Sequence, residues 1–153
     1  MLIRSDRKKI PRLDTILSYD ANMILAERRF KGEQRFSALE VCAQLCALHV
    51  RKRYRFDCHA FLLSFSTVTP IPPKILNGMG RFEGRLNGIS QRAFSYDVKF
   101  QLEPMAAIQI KLNIGTSAYG KMFKKEKLRP YYQQLFASLC HCNVKRESIK
   151  DGS

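Results

Sequence analysis

The stretch RFSALEVCAQLCALHV, residues 35–50, decides the fold. Leu39, Val41, Cys42, Ala43, Leu45, Cys46, Ala47, Leu48 and Val50 send apolar side chains to every side of a helix, leaving few positions for water. Such a helix is surrounded by protein. Ser37 with Glu40 three residues on forms an S-x-x-E capping box at its start, and the basic run RKRYR (51–55) complements the negative end of the helix dipole. The spacing therefore predicts a buried helix over 37–50. Glu40 and Gln44 interrupt its apolar surface. A carboxyl held in apolar surroundings has its pKa raised and can donate a proton near neutral pH, whereas a capping carboxylate only reaches back to the Ser37 N–H. Both readings of Glu40 stand on the residues alone, and Gln44, one turn on along the same face, could steady it by hydrogen bond.

What surrounds the helix follows from the rest of the chain. TILSYDANMILAERRF (15–30) is rich in strand formers and broken at Asp20-Ala21-Asn22, where turn chemistry allows a hairpin or bulge. HAFLLSFSTV (59–68) is nearly all apolar at first. GRFEGRLNGIS (80–90), RAFSYDVKFQL (92–102) and AAIQIKLNIG (106–115) alternate apolar and polar, the last two joined through Glu103-Pro104-Met105. These are antiparallel strands with one wet and one dry face. A curved antiparallel sheet wrapped round the one all-apolar helix satisfies both elements, giving an α+β domain.

The 153 residues, 45% of them hydrophobic, suit one domain with a substantial core. No stretch approaches the roughly 20 apolar residues of a membrane span, and MLIRSDRKKIPRLD lacks the apolar core of a secretory signal, so the expectation is a cytoplasmic protein with no membrane partner. Five cysteines in no regular framework fit a reducing compartment, with Cys42, Cys46 and Cys58 as core residues. Cys140-His141-Cys142 lacks the second ligand cluster of a zinc site, so neither metal nor cofactor is expected. Lys and Arg number 27 against 13 Asp and Glu, a formal net charge of +14 that attracts polyanions. Nucleic acid is disfavoured among them, because no recognition motif or interleaving of exposed aromatics accompanies the charge.

The order of elements, with ALEVCAQLCAL (38–48) followed by an apolar strand, then PIPPKILNGMGRFEGRL (70–86) and two alternating strands, resembles the hot-dog-fold β-hydroxyacyl-acyl-carrier-protein dehydratases over residues 10–115. That family carries Leu-Glu-x-x-x-Gln on its central helix, matched by Leu39, Glu40, Ala43 and Gln44, and a Pro-x-x-Pro-Gly-like loop, matched loosely by PIPPKILNG. The resemblance implies a hot-dog fold, a substrate tethered to an acyl carrier protein, and removal of water from a 3-hydroxyacyl thioester. Glu40 would be the helix acid with Gln44 beside it, and Phe36 and Ser37 would meet the substrate at the helix N-terminus, whose N–H groups polarise the thioester carbonyl. The family's His lies in the loop before the helix. Here that loop reads FKGEQRF (30–36), so a different hot-dog subunit would supply the base; the partner expected is a second hot-dog subunit, in a homodimer or heterodimer. The alternatives are an acyl thioesterase using the helix carboxylate and water, and a non-catalytic acyl-binding subunit.

Beyond the resemblance, GKMFKKEKLRP (120–130) is basic, and Tyr132, Leu135, Phe136, Leu139 and Cys140 make one helical stripe in YYQQLFASLCH (131–141). It predicts an added C-terminal helix, with the domain over 1–143 and a disordered tail over 144–153. Arg51, Lys52, Arg53, Lys121, Lys124 and Lys125 are expected to dock the acidic carrier protein.

Overall fold

The computed structural model describes residues 12–69, 72–91, 93–120 and 124–151. In chain order they form β1 (Thr15–Tyr19), β2 (Met23–Gln34), α1 (Phe36–Arg53), β3 (His59–Thr69), β4 (Ile75–Ile89), β5 (Ala93–Leu102), β6 (Ile108–Ser117) and α2 (Lys125–Asp151). The six strands make one antiparallel sheet in the order β1-β2-β4-β5-β6-β3.

Alternation sets the dry face. Phe94, Tyr96, Val98, Phe100 and Leu102 of β5 are buried and stand opposite Ile114, Leu112, Ile110 and Ile108 of β6 and Phe82 of β4. The buried side of α1 rests on that face through Ala38, Val41, Cys42, Leu45, Cys46 and Val50. Both helix cysteines are fully buried, and burial pushes their thiols well above the usual range. At the heart of the sheet Phe30, Phe82 and Phe100 pack with ring centroids 4.6–6.0 Å apart. Gly80 makes room for them, since a Cβ there would lie 2.8 Å from both the Phe30 and Phe100 rings.

The helix differs from expectation at its start. Arg35 is the N-cap and no side chain caps the first turn, so the Ser37 and Glu40 capping box does not form. The hairpin at Asp20-Ala21-Asn22 and the connection at Glu103-Pro104-Met105 occur where the sequence places them. Helix α2 begins at Lys125, taking in part of the basic run and Pro130, and continues past Asn143 to Asp151. An interior proline removes one i to i−4 bond, which is why sequence patterning starts this helix at Tyr131; the second turn of α2 absorbs it.

Two features position the site. Strand β3 pairs with β6 on one side only and leaves Phe61, Leu62, Leu63 and Phe65 exposed. Helix α2 packs on β1 and on the C-terminal end of α1, with Phe136 against Tyr19 (5.0 Å) and Phe56 (5.7 Å).

Candidate functional site

Glu40, Ala43, Gln44, Ala47, Leu48 and Arg51 fall on one stripe of α1, at the i, i+3, i+4 and i+7 spacing that aligns residues on a helix. Among the described residues, β3 is the one strand that lines the cavity on this stripe. Exposure falls along it: Glu40 is open to solvent, Ala43, Gln44 and Ala47 are half-buried, and Leu48 and Arg51 are buried. From Ala43 onward the stripe floors a cavity of about 370 Å³, within the usual size for a small-molecule site. Leu62 of β3 and Leu135 and Tyr132 of α2 wall it.

The closed end is built on a charge. Arg51 is only 2% exposed. Its guanidinium donates to the carbonyls of Cys58 (3.1 Å) and Ala60 (3.3 Å), to His59 Nδ1 (3.0 Å) and to the Tyr119 hydroxyl (3.3 Å), and it lies 3.7 Å from the centroid of the Tyr132 ring. Taking an ion out of water costs several kcal/mol, and hydrogen bonds to a charged group return about 1.5–3 kcal/mol each. These dipoles solvate the cation without cancelling it. Among the described residues no carboxylate pairs with Arg51.

Neither histidine whose side chain is described serves Glu40. His49 lies nine residues further along α1, half a turn round to the far side. There Nε2–H donates to the Asp20 carbonyl (2.7 Å) and Nδ1 accepts from the Tyr96 hydroxyl (2.6 Å). Burial holds its pKa below the usual imidazole range. His59 accepts from Arg51, at the opposite end of the stripe from Glu40, and burial and that neighbouring charge lower its pKa as well. Among the described residues no group of His, Cys, Asp and Glu could hold a metal, and of the Cys140-His141-Cys142 motif only the half-buried Cys140 side chain is described.

The sequence-derived residues thus separate. Glu40, Phe36 and Ser37 sit together at the open N-terminal end, where Phe36 is 64% exposed and Ser37 half-buried. Glu40 is exposed rather than sunk in an apolar core, because α1 turns Ala38, Val41 and Cys42 to the dry face of the sheet instead. Gln44 lines the cavity. Arg51 is a correction: β3 begins directly beneath it and α2 lies over it, so it is buried and cannot belong to a docking surface. Lys52, Arg53, Lys124 and Lys125 are exposed, Lys125 bonding Asp57 at 2.7 Å, and Lys121 lies outside the described residues. Sequence reasoning missed the Arg51 and Tyr132 pairing. Its one local signal is the Tyr131-Tyr132 pair directly after Pro130.

No family model matches the chain, and no curated protein matches its sequence. Solved structures do match its backbone. A thioesterase enzyme from Staphylococcus aureus superimposes over 67% of this chain and 92% of its own, with TM-score 0.58 at 8% identity. The dehydratase heterocomplex ApeI:P from Xenorhabdus doucetiae matches over 72% of this chain and 84% of its own, with TM-score 0.58 at 13% identity. This chain has the hot-dog fold. A hypothetical thioesterase from Streptococcus pneumoniae, solved with coenzyme A, covers 67% of this chain and 84% of its own at TM-score 0.54 and 11% identity. Thioesterases and a dehydratase share the hot-dog backbone, so the chemistry of this chain is read from its site. Among the described residues no helix is long and apolar enough to cross a membrane.

Proposed function

We propose that this chain is a hot-dog subunit of acyl-thioester chemistry, that the thioester sits at the open N-terminal end of α1 beside Glu40, and that the acyl chain runs along the stripe toward Arg51. The observation that carries this is the stripe itself: an exposed carboxyl one turn before the Gln44 that lines an apolar cavity on the same helix face. The first turn of α1 supports it. It has no side-chain cap and no acidic residue, so the N–H groups of Phe36 and Ser37 are free to donate to a thioester oxygen as charge develops on it.

With neither His49 nor His59 near Glu40, hydrolysis is the reaction the described residues of this arrangement serve by themselves. Glu40 takes a proton from water, the hydroxide adds to the thioester carbonyl, and collapse of the tetrahedral intermediate breaks the carbon–sulfur bond. The proton passes from Glu40 to the departing sulfur, leaving acid and thiol. Dehydration of a 3-hydroxyacyl thioester on an acyl carrier protein is the second reading. There Glu40 protonates the departing hydroxyl, Gln44 steadies it, and a partner subunit supplies the base. The likeness to a dehydratase heterocomplex favours that reading. In both, β3 pairs with a second hot-dog subunit, Lys52, Arg53 and Lys124 meet the acidic carrier protein, and the chain works in the cytoplasm.

The test is to incubate the full chain with acyl thioesters of graded length and with 3-hydroxyacyl carrier protein, following thiol release and product mass. Thiol release that falls at least about a hundredfold in Glu40→Gln supports hydrolysis, since removing one such group costs about two to four decades. Loss of water that appears only on mixing with a second hot-dog protein supports dehydration. Thiol release unchanged in Glu40→Gln refutes the assignment of Glu40. The variant's Tm should stay put, because an exposed side chain away from the core contributes within about 0.5 kcal/mol.

A further inference from the structure

We propose that the acyl chain received by the α1 groove ends in a carboxylate, and that Arg51 binds it. The inference rests on the acyl-thioester reading of that groove and adds the nature of the chain's far end. A methyl-ended chain asks only for an apolar cavity, which Ala43, Ala47, Leu62 and Leu135 already provide. Arg51 is more than such a chain requires.

Among the described residues the charge it brings is uncompensated. Lysine and arginine are almost never fully buried unless paired, and here the four hydrogen bonds go to two carbonyls, an imidazole nitrogen and a phenol. The only other charged side chain on the described lining is Arg12, also a cation, and no described acidic residue lines the cavity. Two cations in one cavity select an anion. The apolar walls between them and Glu40 select an anion carried on an aliphatic chain rather than a free inorganic one. Tyr132 adds a rigid support, its ring stacking on the guanidinium; with four of the five N–H donors given to Cys58, Tyr119, His59 and Ala60, the carboxylate takes the remaining Nε–H and meets the charge.

Length agrees with this. Glu40 and Arg51 are eleven residues apart, about 16 Å along a helix. An extended chain advances about 1.2 Å per bond, so about ten carbons join the two ends once the arginine's own reach is counted.

The experiment measures calorimetric affinity of the full chain for three non-cleavable thioether analogues of an acyl-pantetheine. They share one ten-carbon spacer and end in methyl, carboxamide or carboxylate. The carboxylate should bind tighter than the isosteric carboxamide by about tenfold or more, as charge-assisted bonds exceed neutral ones. In Arg51→Met that preference should vanish while the methyl-ended probe keeps its affinity, and in Ala47→Phe, which fills the groove, all three should weaken together. A carboxylate no tighter than methyl overturns the inference while leaving the acyl groove standing. Failure of all three to bind overturns the groove itself. The ranking of the three probes on the unaltered chain decides the matter even where Arg51→Met does not fold.

Discussion

Replacing Leu63 and Phe65 of β3 by glutamate should dissociate the protein. Strand β3 is one of the two edges of the sheet, and a long apolar edge is a template for pairing with another strand. Leu63 is 53% exposed and Phe65 49% in the isolated chain, so about half of each side chain remains to be buried. Fully burying a leucine or phenylalanine stabilises by about 1.5–3 kcal/mol, hence roughly 1 kcal/mol for each of these halves. A two-fold pairing uses both residues from both protomers, four side chains in all, and forfeits about 4 kcal/mol when they are lost. At 1.4 kcal/mol per decade, Kd should rise about a thousandfold. Sedimentation equilibrium across the micromolar range reads this directly, with thermal melts to confirm that the variant folds. Leu63 packs over Gly115 within its own sheet, but half of it faces outward, so the monomer should lose little. An unaltered chain that is monomeric throughout that range would refute the argument, and so would a dimeric variant with unchanged Kd.

Other outcomes follow from the same geometry. Gly80→Ala puts a Cβ into the Phe30 and Phe100 rings, an overpacking worth about 1–3 kcal/mol and so about 2–12 °C in Tm, while Gly88→Ala, with open space around it, should stay within about 2 °C. Differential scanning calorimetry separates the pair. Burial lowers the His49 pKa from 6.5, so below that pH the unfolded chain takes up a proton that the folded chain refuses; its contribution is intact above 6.5 and lost as pH falls. His49→Gln should therefore flatten the decline in Tm between about pH 7 and pH 5, and an unchanged slope would place the sensitivity elsewhere. Charge reversal at Lys52, Arg53 and Lys124 should slow association with an acidic carrier protein and flatten its salt dependence in stopped-flow measurements, because exposed charges act over a Debye length of about 8 Å.

The sheet was legible because each of its central strands meets water on one face and the helix on the other, so Phe94 to Leu102 and Ile108 to Ile114 announce their own register. The burial of α1 was legible for the same reason, as was the shared face of Glu40 and Gln44, but the continuation of that stripe to Arg51 was not drawn from the sequence. What local patterning could not fix is which end of that stripe is covered. Basic residues at a helix C-terminus ordinarily extend into solvent, where they complement the dipole, and RKRYR obeys that rule at Lys52 and Arg53. Arg51 escapes it through two segments distant in sequence: β3 returns beneath it with open carbonyls, and α2 lays Tyr132 over it. The carboxyl at the other end goes the opposite way, because neither segment reaches Glu40. A buried cation and an exposed acid are thus the inverse of what the helix alone suggests, and it is on that inversion that the proposed groove, with a wet end for chemistry and a charged end for recognition, rests.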